Sequence, residues 1–531
     1  MIRRILFCSA LIAIMHWQSL AQGGAQYKIS GRVVSATSGQ PLAGTEVSFG
    51  NAEAPQVTLQ KLLTGADGEF EFVSLHKGKY WLAGQNSGFR KQMFEEHGGY
   101  ASAIAVADGK NSSGLVFRLH PDARIVGTLL DDEGEAIPDA MVLLFRADAR
   151  AGYPQVNVLK TAQSDVEGNY AFTGLEEGRY YLAFSARPWF TSARELMLQG
   201  KGQTKRTALL DMAYPITLYP GAFDEESAAP IILTEGEESV ANMELMIVPA
   251  ARVSVHGLGD QSESPTQISL QKKVFNFLFE PMLNGEPDGE LSTIRGVPVG
   301  RYTLTLSQFS AKGASEIFAT IDVTGDTEID RKAAQPAAIH GRVLNRSTLP
   351  QQAFIRLWNA QSGQLLDTLI GPDGDFEFAS RSVTPGTYSV FVFGGIYSAI
   401  ERISASGATV LGQTVLLQGA TPVVLKIEVC QKTSTVEGTA SSNGKPTPGL
   451  MIVLVPDDFE HNLASFRRDQ SDSDGTFMLA SVLPGHYKIV ALEDGWGLEW
   501  ANLAIAKAQS GPATEITVTP QSRPQTTISV Q

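Results

Sequence analysis

The sequence predicts an all-β protein, a tandem array of about five β-sandwiches, and three observations carry that prediction. First, a phrase recurs along the chain: an Asp-Gly or Glu-Gly turn, an alternating aromatic strand, then a Gly-x-Tyr opening another strand. It stands at Asp67-Gly68-Glu69-Phe70-Glu71-Phe72 with Gly78-Lys79-Tyr80, and at Glu167-Gly168-Asn169-Tyr170-Ala171-Phe172 with Gly178-Arg179-Tyr180. Further copies lie at Asp288-Gly289 with Tyr302, Asp373-Gly374 with Tyr388, and Asp474-Gly475 with Tyr487, and the step from turn glycine to tyrosine is 12 to 14 residues throughout. Second, turn signals return at roughly 8–12-residue spacing, as in a sandwich. Third, helical periodicity is nearly absent; the best helix candidate is Ser192–Leu198, where Ser192 and Glu195 have capping-box spacing.

The elements follow in order. Residues 1–21 read as an export signal: Arg3 and Arg4 supply the positive start, Ile5 to Met15 the apolar stretch, and Ser19-Leu20-Ala21 the small-residue cleavage site. Each repeat then opens on an apolar-x-Gly-x-apolar strand, at Ile29-Ser30-Gly31, Ile125-Val126-Gly127, Ile339-His340-Gly341 and Val436-Glu437-Gly438. A strand glycine marks a bulge or a close backbone approach. Proline-started turns at Pro41, Pro138 and Pro446 feed the next strand, and the Asp-Gly pair supplies the positive φ of a tight hairpin. In the third repeat Val255 stands where the glycine is expected and Leu291-Ser292-Thr293-Ile294 replaces the aromatic strand, so that repeat is degenerate. These marks divide the chain into sandwiches at residues 22–121, 122–250 with a long insertion, 251–335, 336–430 and 431–531. The connectors near 121–123, 249–252, 334–338 and 430–435 are expected to be open to proteases.

The chain has 42 basic and 56 acidic residues, a net charge of −14 and no basic run, which excludes nucleic acid as the expected partner. Of its two cysteines, Cys8 lies in the signal and Cys430 is left alone, so no intrachain disulfide staples the mature domains. No stretch after the signal is long and apolar enough for a membrane span. The expected location is outside the cytoplasm: periplasmic, outer-envelope associated or secreted.

The Gly-x-Val openings, Asp-Gly-x-Phe-x-Phe hairpins and Leu-x-x-Gly-x-Tyr segments resemble the carboxypeptidase regulatory-like family over nearly all of the mature chain. The resemblance implies seven- or eight-stranded prealbumin-like sandwiches of the carbohydrate-binding-like group, found beside metallocarboxypeptidase domains and as tandem arrays in exported bacterial proteins. It implies a shape and leaves the ligand open.

Catalytic constellations are missing from the sequence. No histidine stands in His-x-x-Glu, no serine in Gly-x-Ser-x-Gly, and Cys430 sits in the strand-like run Ile427-Glu428-Val429. No cofactor or metal is expected: Asp469, Asp472 and Asp474 before Gly475 lack the order of a calcium loop, and a hairpin turn explains them, so Asp472→Ala is expected to cost little. Nor does an acid follow the Tyr-x-Leu strands where an isopeptide-forming sandwich carries one. The candidate ligand-binding residues are aromatics off the repeat pattern: Trp189, Phe190, Tyr219, Trp496 and Trp500. Flat rings suit sugar faces and protein contacts alike, and equally an inter-domain seam. Trp81 and Trp358 fall on strands and are expected in cores. The sequence therefore points to a non-catalytic envelope protein whose partner is a glycan or another envelope protein, with a scaffold or protease-accessory role as the alternative.

Overall fold

The computed structural model describes residues 27–110, 112–148, 155–188, 212–258, 266–275, 277–279, 283, 286–288, 291–310, 313–330, 339–359, 365–378, 386–394, 397–418, 422–499 and 513–530. The expected signal and the helix candidate at 192–198 lie outside them. Among the described residues there is no α-helix, and no helix is long and apolar enough to cross a membrane.

Alternation in the sequence becomes alternation in burial. Ala123–Asp131 buries every second side chain, and Glu69–Leu75 buries Phe70 and Phe72 while Glu69 and Glu71 face water. Each half-apolar strand must cover its inner face, and two sheets packed face to face do so. In the first sandwich the opening strand Tyr27–Ser35 lies between Glu69–Leu75 and Leu115–Leu119. The facing sheet runs Gln60–Leu63, Glu46–Asn51, Gly78–Gln85, with Ile104–Val106 along its far edge. Phe49, Phe72, Tyr80, Leu82 and Phe117 fill the space between, each contributing about 1.5–3 kcal/mol of transfer energy. The same plan, with a separate core each time, recurs in the other four sandwiches.

The opening glycine is explained by what lies on either side of it. Gly31, Gly341 and Gly438 each pair in parallel with the last strand of their sandwich, whose carbonyl stands where a β-carbon would be. From the other side the first aromatic after the Asp-Gly turn leans over the glycine: a β-carbon would meet Phe376 Cζ at 2.6 Å on Gly341 and Phe477 Cζ at 2.6 Å on Gly438. The expected hairpin is corrected here, because in these sandwiches the strands before and after that turn belong to opposite sheets, so the turn carries the chain from one sheet to the other. In the third sandwich the register places Val255 opposite Ser292, both buried. The bulk has moved from one strand to the other, so this repeat departs from the pattern as a pair.

Two further signatures work as follows. The turn glycines Gly68, Gly168, Gly374 and Gly475 have φ between 71° and 87°, and the carbonyl of each accepts a bond from the opening strand, as in Ala440 N–H to Gly475 O at 2.7 Å. A side chain at Gly475 would be strained and would meet Pro446 Cβ at 2.8 Å. Gly475→Val is expected to destabilise the fifth sandwich by about 1–3 kcal/mol, read from denaturant unfolding of the whole protein followed by hydrogen exchange. The repeat tyrosine buries its ring and returns its hydroxyl to the carbonyl four residues upstream: Tyr80 to His76, Tyr180 to Glu176, Tyr302 to Pro298 and Tyr487 to Leu483, at 2.8 to 3.0 Å. Each thus locks the corner entering its strand.

Three expectations are corrected. The connectors at 121–123 and 249–252 are not open: Arg90 N–H bonds His120 O, Asp122 N–H bonds Gly88 O, and residues 249–252 lie inside the paired strand Val248–His256. Only near 430–435 does an exposed pair, Gln431 and Lys432, remain, while 334–338 fall outside the described residues. Trp81 is not in its sandwich core: it neighbours the inward-facing Tyr80 and Leu82 and so points outward, over Gly50. Trp358 is buried, on the outer face of its strand, in a separate core cluster with Phe391 and Ala464.

Candidate functional site

The sandwiches do not simply follow one another in space. Sandwich 2 touches sandwich 1 through Arg90 to Glu176 at 2.9 Å and through His120 to Glu235, and sandwich 3 inserts Phe275 against Phe145 and Tyr181 of sandwich 2. Sandwich 4 meets sandwich 5 where Gln413 N–H donates to His461 O at 2.8 Å, beside the Trp358 cluster. Sandwich 5 then returns to sandwich 1. The contacts run 3, 2, 1, 5, 4, with the first and last sandwiches at the centre.

That central joint is the most elaborate polar constellation among the described residues. The repeat turn of sandwich 5 presents Ser471, Asp472 and Ser473 to the segment 101–105 of sandwich 1. Ser473 N–H donates to Ala103 O at 2.9 Å, and Ala103 N–H donates to Asp472 Oδ1 at 2.8 Å. Ala105 N–H reaches Ser473 Oγ at 2.8 Å, and Ser102 Oγ donates to Ser471 O at 2.7 Å. The turn thus caps the free edge of sandwich 1's second sheet, satisfying groups that an edge strand leaves open. Charge matches across the joint: Lys79 pairs with Asp472 and bonds Thr476 Oγ1 at 2.9 Å, and Lys110 pairs with Asp474 at 3.1 Å. Gln470, nearly fully buried, donates to Ser102 Oγ at 2.9 Å and to the Glu95 carbonyl.

Trp496 completes the joint. It sits on the short 3-10 turn Gly495–Gly497 and stacks on His97 at 5.4 Å between centroids and 10° between planes. Tyr100 lies at 5.6 Å, Arg468 stands 5.5 Å over the indole, and Nε1–H donates to Gly449 O at 3.2 Å. The indole is half-buried, with planar groups of sandwich 1 on it. Tyr219 is half-buried too and packs against the core of sandwich 2. Trp189, Phe190 and Trp500 lie outside the described residues. The two described candidates, Tyr219 and Trp496, lie on different sandwiches, the second and the fifth.

Electrostatics within the joint are uneven. Burial pushes the Asp469 carboxyl up to about 6, against the bonds it accepts from the Met478 and Gln470 amides, and burial likewise raises Asp472 despite Lys79. At Asp474 burial also acts upward, but bonds from Thr476 and Lys110 outweigh it and leave the carboxyl below its ordinary value. A raised carboxyl means that the folded protein holds its proton more tightly than the unfolded chain. The cost of ionised Asp469 is thus present above pH 6 and vanishes below about pH 4. Asp469→Asn is expected to raise the melting temperature by about 2–4 °C at pH 7.5 and to leave it unchanged at pH 4. An equal shift at both values would remove ionisation as the cause.

Lys79, Ser102, Ala103, Lys110 and Gln470 escaped the sequence reading because nothing in their local pattern marks them. One signal was available: the turn before Gly475 carries Asp472 and Asp474 with Asp469 just upstream, where the equivalent turn before Gly68 carries Asp67 alone. Asp472 and Asp474 face lysines of another domain.

No curated protein matches the chain. Among solved structures, the Bacillus anthracis TIE protein is similar at 13% identity over 57% of this chain and 50% of that one, with a TM-score of 0.18. The chain thus spans half the length of that relative. A streptococcal ancillary pilin is similar at 10% identity, over 57% of this chain and 98% of the pilin, with a TM-score of 0.18. The shaft pilin SpaA of Lactobacillus rhamnosus GG is similar at 9% identity, over 42% and 98%, with a TM-score of 0.20. The repeat geometry of the first sandwich, with its opening glycine, Asp-Gly turn and locked tyrosine, has a counterpart in sequence: residues 28–120 match the family model of the carboxypeptidase regulatory-like domain.

Proposed function

We propose that the protein is an exported, non-catalytic, multi-domain structural and binding protein of the cell envelope, acting as a scaffold that holds its sandwiches in a fixed relation. The docking of sandwich 5 onto sandwich 1 carries this reading. A chain of independent modules has no need of a joint with matched charges, shared backbone bonds and an ordered tryptophan; a body that presents surfaces at set positions does. Trp496, first among the described candidates for sugar stacking, has its ring occupied by His97, Tyr100 and Arg468 of the same chain, which supports the inter-domain seam reading over sugar stacking at that residue.

Carbohydrate binding remains the second reading, through Trp189, Phe190 and Trp500, whose ring chemistry suits a pyranose face. Affinity capture from an envelope fraction and a glycan array, both with the full mature chain, separate the two. Recovery of one defined envelope protein without glycan binding supports the scaffold. Saturable glycan binding lost in Trp189→Ala supports the second reading, and hydrolysis of a peptide or glycan by the purified protein would overturn both.

A further inference from the structure

The open cavity at the joint of sandwiches 2 and 3 has a volume of about 470 Å³, within the range of small-molecule sites. Ile216, Leu218 and Val274 give it apolar walls, Lys272 a cation, and Glu226 on the exposed loop beside Phe223 an anion. Internal repetition shows what is unusual about Lys272. In sandwich 2 the matching position is Arg146, which pairs with Tyr180 across the sheet and lies 3.7 Å from where a β-carbon on Gly178 would be. Arg146 is neutralised by Glu176, the residue whose carbonyl also receives the Tyr180 hydroxyl.

In sandwich 3, Lys272 follows Gln271, the partner of Thr303, and so stands beside Tyr302; its Nζ lies 3.7 Å from the same point on Gly300. The carbonyl receiving the Tyr302 hydroxyl belongs to Pro298, which has no carboxylate. The cation is kept and its counterion is gone. Among the described residues no acid pairs with Lys272, and burial alone pulls its ammonium below the ordinary lysine range. Asp224 is turned to Ser227 and Glu225 to the Phe275 amide, so neither supplies the missing charge.

From the unpaired Lys272 at one wall, Glu226 at the rim and the apolar surface between, we infer that this cavity binds a small zwitterion with an apolar body, an amino acid or short peptide. The carboxylate meets Lys272 from the cavity side, the apolar side chain lies on Ile216 and Leu218, and the ammonium faces Glu226. A half-buried amine without a counterion is costly, and a ligand carboxylate relieves that cost.

Isothermal titration of the full-length protein with leucyl-leucine tests this. Saturable binding is expected, weakened about tenfold when leucyl-leucinamide replaces the acid and about tenfold in Lys272→Met, with Lys272→Arg close to wild type. In Lys272→Met the acid and the amide should bind alike. Should Lys272→Met melt early, the acid and amide arms on the wild type still decide. No saturable binding of the dipeptide, or equal affinity of acid and amide for the wild type, overturns the proposal.

Discussion

Gly341→Val is expected to cost the fourth sandwich about 3 kcal/mol or more and to bring its unfolding well below that of its neighbours. The added β-carbon enters the Leu425 carbonyl of the parallel strand and the Phe376 ring, which stands 2.6 Å away. Backbone on one side and a packed ring on the other leave no direction for relaxation, because Phe376 itself belongs to the core with Ile339, Tyr388 and Leu425. Hydrogen exchange of the whole protein should show lost protection confined to residues 339–429. The double variant Gly341→Val with Phe376→Ser reproduces the Val255 and Ser292 pairing of sandwich 3 and is expected to cost less than the sum of the two single changes, because the ring that the valine meets is gone while the carbonyl contact and the lost core side chain remain. A silent single variant would mean that the glycine is there for another reason than close approach.

That pair shows how far the sequence can be read. Period-two alternation, the positive-φ glycine and the spaced tyrosine each follow from one strand or one turn, so they are legible locally, and they are enough to name sandwiches and their number. Val255 was visible as an exception, but its reason lies on Ser292, which is adjacent only through the sheet register. The outward direction of Trp81 and Trp358 was legible as well, from the inward parity of Tyr80 with Leu82 and of Ile355 with Leu357. What no strand pattern contains is the pairing of surfaces hundreds of residues apart. Lys79 and Asp472 are polar residues on ordinary repeat segments, and only the folded chain makes them neighbours. The same holds for Lys272, whose missing counterion is legible only once sandwich 2 supplies the comparison with Arg146 and Glu176.

Asp472→Ala is expected to release sandwich 5 from sandwich 1, which reverses the small cost that a turn residue alone would carry. The substitution removes the carboxylate that pairs with Lys79 and accepts the Ala103 amide, and leaves both donors without it in a joint where Ser102, Gln470 and Ser471 are nearly fully buried. Leaving the half-buried Ala103 amide without an acceptor, while Lys79 keeps only its bond to Thr476, costs about 1–3 kcal/mol. Asp472→Asn keeps an acceptor for Ala103 and should open the joint less. The turn itself survives, since its bonds run between backbone groups, Gly475 N–H to Asp472 O and Asp472 N–H to Thr476 O, both at 2.8 Å. The isolated fragment 431–531 should therefore melt alike with and without the Asp472→Ala substitution, while in the whole protein the same change gives a larger radius of gyration in X-ray scattering and faster exchange at 101–105 and 470–473. Trp496→Ala removes the stack on His97 without touching the ion pairs, and combined with Asp472→Ala it should add less than the sum of the two, because both act through one contact. Full additivity, or an unchanged radius in Asp472→Ala, would show that the two sandwiches are not held together by this joint.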